Sequence, residues 1–314
     1  MSNTVLKKQR EKSRKLSNIM QNKALYVMVL PALVFFALFN YWPMYGVQIA
    51  FRNFSFANGI TGSKWVGMKW FNFFFKANQF PVIVRNTLLL SLYDLAAGFP
   101  FPILLALIMH NVPSKRFRRV TQTATYMPHF ISWVVFGGII ITLLSADGGV
   151  LNTILMKLGL TDQPVVFMAE PAFFWSIAIV SNLIKELGWG TILYTAAIAG
   201  VDQALYEAAE LDGAGRLKKM WYVTLPSIKG TIVIMVIFAV AGIMNNNFDQ
   251  IYVLQNAFNL ERSEVIDTYI YKVGLQQLQF GMAAAINIFK SVLAITLLFF
   301  ANKVSNKLTD SGLF

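Results

Sequence analysis

The chain has 314 residues, of which 56% are hydrophobic and only 13% charged, too few charges to solvate the surface of a soluble protein of this size. The net charge of +12 is densest at Lys7, Lys8, Arg10, Lys12, Arg14, Lys15 and Lys23, directly before an apolar block, which reads as a cytoplasmic membrane flank and not as a nucleic-acid surface. There is no cysteine and there are two histidines, so disulfides, thiolate metal sites and Cys nucleophiles are excluded and a multi-histidine metal centre is not expected.

A membrane-spanning helix needs about 20 mostly apolar residues, and six segments qualify. Span 1 covers about residues 25–45, too long for a cleaved signal peptide. An aromatic stretch follows, from Trp65 to Lys76, and predicts a short helix on the outer face or a simple interface anchor. Span 2 covers about 86–110, with Asp94 inside it, and span 3 about 120–146. His129 beside Pro128 reads as a packing residue at a kink. Span 4 covers about 172–200, interrupted by Lys185 and Glu186. Span 5 covers about 226–248, with Lys229 near its start, expected to snorkel. Span 6 covers about 282–303 and contains Lys290.

With the N-terminus in the cytoplasm, 17 Lys and Arg fall on the inner side and 8 on the outer. The bias places both termini inside. The expected fold is therefore an all-α integral membrane protein of six transmembrane helices. Residues 1–24 form a basic cytoplasmic tail, 25–303 the membrane domain and 304–314 a short cytoplasmic C-terminal tail.

The connection between spans 4 and 5 is the most informative segment. Residues 203–211 are mostly good helix formers, Asp202 is a suitable N-cap and Gly213 a suitable terminator. This predicts a short cytoplasmic helix, over about 203–213. Ala208 and Ala209 let another surface approach its backbone, Leu205 and Leu211 offer apolar contact, and Glu207, Glu210 and Asp212 offer charge. The composition alone suits either docking or an ordinary interfacial helix.

Its spacing resembles the signature loop of ABC importer permeases. Glu207-Ala208-Ala209, three residues, Gly213, nine residues, Val223, one residue and Leu225-Pro226 follow that loop, with Val223 where the family usually has Ile. Trp65-Val66-Gly67, Trp70-Phe71, Asn86-Thr87, Met127-Pro128, Gly149 and Leu151-Asn152 are similar to the carbohydrate branch of these permeases. The stretch Lys185-Glu186-Leu187-Gly188-Trp189 looks most like the subgroup for oligosaccharides, polysaccharides or modified sugars.

The resemblance implies a pore made with a second homologous permease, two ATPase subunits below it and an extracytoplasmic sugar-binding protein that delivers cargo by alternating access, in a bacterial cytoplasmic membrane. It implies that Glu207, Ala208, Ala209, Asp212 and Gly213 dock the ATPase, with span 4 to span 5 joined by a coupling helix. ATP and Mg would be bound by the ATPase subunits. This chain would hold no cofactor, and it has no Gly-Lys dipeptide for a phosphate-binding loop. A stand-alone secondary transporter or channel for a polar solute is the competing class, and six spans without an internal repeat argue against it. No constellation supports a membrane enzyme.

Polar groups at membrane depth mark a pathway or a paired structural site. The pathway candidates are Asp94, Lys185, Glu186, Trp189, Asn245, Asn246, Asn247, Asp249, Asn287 and Lys290. Under that reading they hydrogen-bond sugar hydroxyls, with Trp189 or Tyr93 stacking on sugar faces. Under the structural reading Asp94 pairs with Lys290, Lys185 contacts Glu186 or a neighbouring subunit, and the Asn245–Asn247 run caps span 5.

Overall fold

The computed structural model describes residues 22–245 and 247–309. The basic cluster from Lys7 to Lys15 and residue Asn246 lie outside the described residues. The chain divides into two compact units, one ending at Gly67 and one beginning at Met68.

The first unit opens with helix α1, Lys23–Phe36. It continues through a wide π turn, Ala37–Tyr41, into a tight 3-10 stretch, Trp42–Phe51. From Ala24 to Phe36 the side chains of α1 are exposed and apolar on all sides, as a helix solvated by lipid requires. Two short strands follow, β1 (Arg52–Ser55) and β2 (Ser63–Trp65), paired antiparallel with Arg52 opposite Trp65. Arg52 donates to the carbonyls of Thr61 and Ser63 and lies over the Trp65 ring, which stacks on Phe51. This hairpin corrects the all-α expectation. It also takes Trp65 out of the predicted surface helix, because Gly59 and Gly67 turn the chain at φ +62° and +58°.

The second unit begins with α2, Lys69–Lys76, which buries Phe71 and Phe74 and exposes Phe73 and Phe75. Phe74 meets Phe80 at 5.0 Å and Phe289 at 5.6 Å. Next come α3, Phe80–Gly98, and α4, Pro100–Asn111, which together make one run of 32 residues. Pro100 and Pro102 supply no N–H donors, so the helix breaks at Phe99. The predicted span 2 therefore starts six residues earlier than expected.

Predicted span 3 is a correction. Helix α5 (Lys115–Tyr126) passes through a 3-10 turn, Met127–Phe130, and meets α6 (Trp133–Leu143) at 105°. Pro128 lies in the 3-10 turn, Ile131 is extended, and the Ser132 hydroxyl caps the new helix by accepting from Val135 N. After α7 (Val150–Lys157) comes the longest uninterrupted element before the C-terminal helix, α8 (Pro171–Ala199). At 29 residues it is roughly 43 Å long, enough to cross a bilayer. Ser181, Asn182, Lys185 and Glu186 lower its hydropathy, and it is not among the three runs that, among the described residues, are apolar enough to span by composition. Those are Lys23–Phe51, Phe80–Asn111 and Phe280–Phe300, and two bent pairs raise the count to five.

Helix α9 (Gln203–Leu211) follows a tight turn at Gly200. Predicted span 5 is also broken: residues Arg216–Ser227 meet α10 (Lys229–Ala241) at 65°, and α10 ends seven residues short of the expected boundary. Short helices α11 (Phe248–Leu254), α12 (Leu260–Ser263) and α13 (Ile266–Tyr271) lead to α14, Phe280–Thr309.

Candidate functional site

The connection after α8 is built to present one surface. Asp202 Oδ1 accepts from Ala204 N at 3.0 Å and starts α9. At the other end Gly213 takes φ +70°, the left-handed conformation that favours glycine. Its N–H donates to Glu210 O and that of Ala214 to Ala209 O, so both terminal carbonyls are satisfied. Tyr206 is buried, and its hydroxyl pairs with Thr224 Oγ1 at 3.0 Å, bracing α9 against the segment that leads into α10. Lys219 closes the same loop by donating to Glu210, whose carboxyl is held below the usual range by that bond and the lysine charge.

What remains outward is the predicted docking set. Glu207, Ala208, Asp212 and Gly213 are exposed and Ala209 is half-buried. Leu211 is 91% exposed, which on a well-capped helix marks a surface for apolar contact. Tyr206, Thr224, Lys219 and Glu210 were not singled out as a bracing set from sequence. Tyr206 and Thr224, and likewise Glu210 and Lys219, lie on separate elements either side of the Gly213 turn, so no single helical period pairs them.

The polar groups of the spans divide in two. A cavity of 440 Å³ opens between α3, the start of α4, α8, α10 and the segment that runs into α11. Of the predicted pathway residues, Asp94, Glu186, Asn245 and Asn247 line it. Asn182 and Gln250 join them without having been predicted. Asn182 donates to Asp94 Oδ1 at 2.6 Å, and Gln250 donates to Ala178 O and Ser181 Oγ. The size and mixed lining fit a small-ligand site.

The other predicted residues lie elsewhere. Lys185 is 4% exposed and donates to Pro128 O and His129 O, at 3.1 and 2.7 Å. Its ammonium also lies 5.5 Å from the Trp133 ring centre and 3.8 Å from Glu186. His129 pairs with Glu186 at 2.7 Å and stacks on Trp189 at 4.3 Å. Lys185, Glu186 and Trp189 thus fasten the broken third span to α8. Gly188 lets the two backbones close, since a Cβ there would lie 2.1 Å from Thr125 O. Trp189 therefore faces His129, and Tyr93 faces Trp175. The expected Asp94–Lys290 pair does not form: Lys290 donates to Asp267 at 2.6 Å, a residue of the intervening loop helix α13 that hydropathy does not reveal. Asn287 and Asp249 are exposed and outside the cavity lining. Lys229 is exposed at the start of α10.

Several small motifs of the sequence have plain structural reasons. Asn86 is fully buried and donates to Glu261 O and Glu264 O, while Thr87 Oγ1 accepts from Ile266 N. Asn152 bonds Ser145 O and both backbone groups of Val165, and a Cβ on Gly149 would meet Ser145 O at 2.1 Å. These residues tie loops to helix ends. Among the described residues no group of three or more His, Asp or Glu side chains is arranged to hold a metal.

The second unit is thus a multi-helix body with a capped, outward-facing helix between α8 and α10 and a cavity with a partly polar lining. Residues 98–310 match the family described as binding-protein-dependent transport system inner membrane component. The polygalacturonan/rhamnogalacturonan transport system permease protein YteP of Bacillus subtilis (strain 168) is 40% identical over 99% of this chain and 96% of its own length. Protein LplB of the same organism is 40% identical over 94% of this chain and 92% of its own. A chain in the crystal structure of a bacterial ABC transporter involved in the import of the acidic polysaccharide alginate superimposes with a TM-score of 0.86 at 39% identity, covering 94% of this chain and 99% of that one. The chain belongs to the family of binding-protein-dependent inner membrane transport components. It has the type I ABC importer permease fold, and it is a permease subunit, not an enzyme.

Proposed function

We propose that this chain forms one half of the pore of a carbohydrate-importing ABC system in a bacterial cytoplasmic membrane. It crosses the membrane six times, with the broken third and fifth elements and α8 each counted as a span and both termini in the cytoplasm. A second homologous permease completes the pore, two ATPase subunits bind ATP and Mg, and an extracytoplasmic binding protein supplies the sugar. The relative named for polygalacturonan/rhamnogalacturonan transport and the alginate importer, which was also crystallised with an alginate pentasaccharide-bound periplasmic protein, support that cargo class and that partner.

The observation that carries the reading is α9. Its ends are capped, its back is pinned through Tyr206, and Glu207, Ala208, Ala209, Asp212 and Gly213 are left toward solvent or nearly so. A rigid connector of this kind passes a rigid-body push from an ATPase into α8 and α10. The cavity lined by Asp94, Glu186, Asn245 and Asn247 is this chain's share of the cargo path. In the assembled importer, Glu207→Lys or Gly213→Asp should lower uptake at least about 100-fold and release the ATPase on purification, with substrate capture by the binding protein intact. Uptake at the wild-type rate with the ATPase retained would refute the docking assignment.

A further inference from the structure

The cavity has a chemical bias of its own. Its carboxyl and amide lining is Asp94, Asn182, Glu186, Asn245, Asn247 and Gln250, with the hydroxyl residues Ser91 and Tyr194 beside them, and no Lys or Arg lines it among the described residues. The near ammonium, Lys185, is buried behind the wall and turned to the carbonyls of Pro128 and His129. Arg85 and Arg262 flank Trp175 at 5.9 and 4.5 Å, outside the lining, and Arg85 is spent on Asn86 Oδ1 and Glu261 O.

Two carboxyl groups and four amides suit hydroxyl groups, which donate to carboxylate oxygens and exchange both kinds of bond with amides. They do not suit a carboxylate ligand. A uronate entering this chamber would lose water, meet no cation and face Asp94 and Glu186. We propose that the half-cavity of this chain accepts a neutral saccharide and rejects a uronate-bearing one, in contrast to the cargoes for which the polygalacturonan and alginate relatives are named. The inference rests on the cavity being part of the cargo path.

The test uses the assembled importer in nanodiscs without its binding protein, so that the membrane cavity alone selects. A neutral galactopentaose and a galacturonate pentasaccharide are the probes, and equilibrium binding of each is measured. The neutral sugar should bind at least about tenfold tighter. Asp94→Asn, close in shape and checked for intact assembly by size exclusion, should narrow the gap by improving galacturonate binding. Equal affinities in the wild type, tighter binding of the galacturonate, or a gap unmoved by Asp94→Asn would overturn the proposal. Ala239→Trp, which fills the cavity, separates the two layers of the argument. If it leaves binding and uptake unchanged, or if the wild type binds neither sugar, the cargo path itself is misplaced. If it abolishes binding while the wild type binds the two pentasaccharides alike, only the selectivity is wrong.

Discussion

Helix α9 and the middle of α8 are both polar interruptions in a hydrophobic chain, yet they are held in opposite ways. The ends of α9 are settled by residues within three positions of each terminus: Asp202 to Ala204, Gly213 to Glu210 and Ala214 to Ala209. The middle of α8 is settled across the fold. Lys185 reaches the carbonyls of Pro128 and His129, and Asn182 reaches Asp94, 88 residues away. A local device faces outward and is free to meet another chain. A long-range device is consumed by its own partners, and Glu186, paired with His129 on one side, also lines the cavity.

The largest effect expected from breaking this contrast is at Gly188. A methyl group there would sit 2.1 Å from Thr125 O, a backbone atom that cannot swing aside. Gly188→Ala should cost about 3 kcal/mol or more and show as a sharp loss of assembled complex and a lower midpoint in thermal unfolding. Gly98→Ala is the control, because a Cβ there meets nothing within 4 Å. Equal behaviour of the two variants would mean that α5 and α8 are not in close backbone contact.

The next effect is at Lys185. Lys185→Met keeps the stem but leaves the carbonyls of Pro128 and His129 without their donor, at a cost of about 1–3 kcal/mol. Thermal unfolding of the complex should fall, and Lys185→Arg should recover part of the loss. If Lys185 instead touched cargo, the methionine variant would leave unfolding unchanged and alter only substrate-stimulated ATP hydrolysis.

These two sites explain what was readable beforehand. The caps of α9 and its length were legible because capping is local chemistry written within a few residues. The spans were legible as hydrophobic blocks and Pro128 pointed to a kink in the third, but hydropathy says nothing of direction, so the size of the 105° break after Tyr126 was not foreseen. The structure divides the predicted pathway residues for the same reason. Asp94 and Glu186 share a cavity with Asn245 and Asn247, whereas Lys290 meets Asp267 on a loop helix that no depth estimate could place. Residues 52–65 were missed as a hairpin because their β1 and β2 strands are only four and three residues long.

A smaller effect concerns the brace behind α9. Tyr206→Phe deletes the hydroxyl that pairs with Thr224 and leaves the ring in place, so stability should drop by only about 1 kcal/mol. The consequence for coupling should be clearer than that for folding. A looser connector transmits less of the ATPase movement, so sugar imported per ATP hydrolysed should fall by about threefold while ATPase co-purification persists. An unchanged ratio would leave Tyr206 with a packing role alone.

The smallest effect is electrostatic. Lys219 holds the Glu210 carboxyl below its ordinary range, so in the folded state the pair keeps its charge to lower pH than a free glutamate would. A group with a depressed folded pKa adds stability above its unfolded pKa and loses it as pH falls through the folded value. Glu210 is exposed, and an exposed pair is screened by salt, so the benefit to the loop is slight. Lys219→Met should return the Glu210 titration to the normal carboxylate range, read from the side-chain carboxyl resonance of glutamate-labelled complex. High salt should shrink the difference between variant and wild type. A Glu210 titration indifferent to both lysine and salt would mean that this end of α9 is held by the Gly213 turn alone, and the local device would then be simpler still.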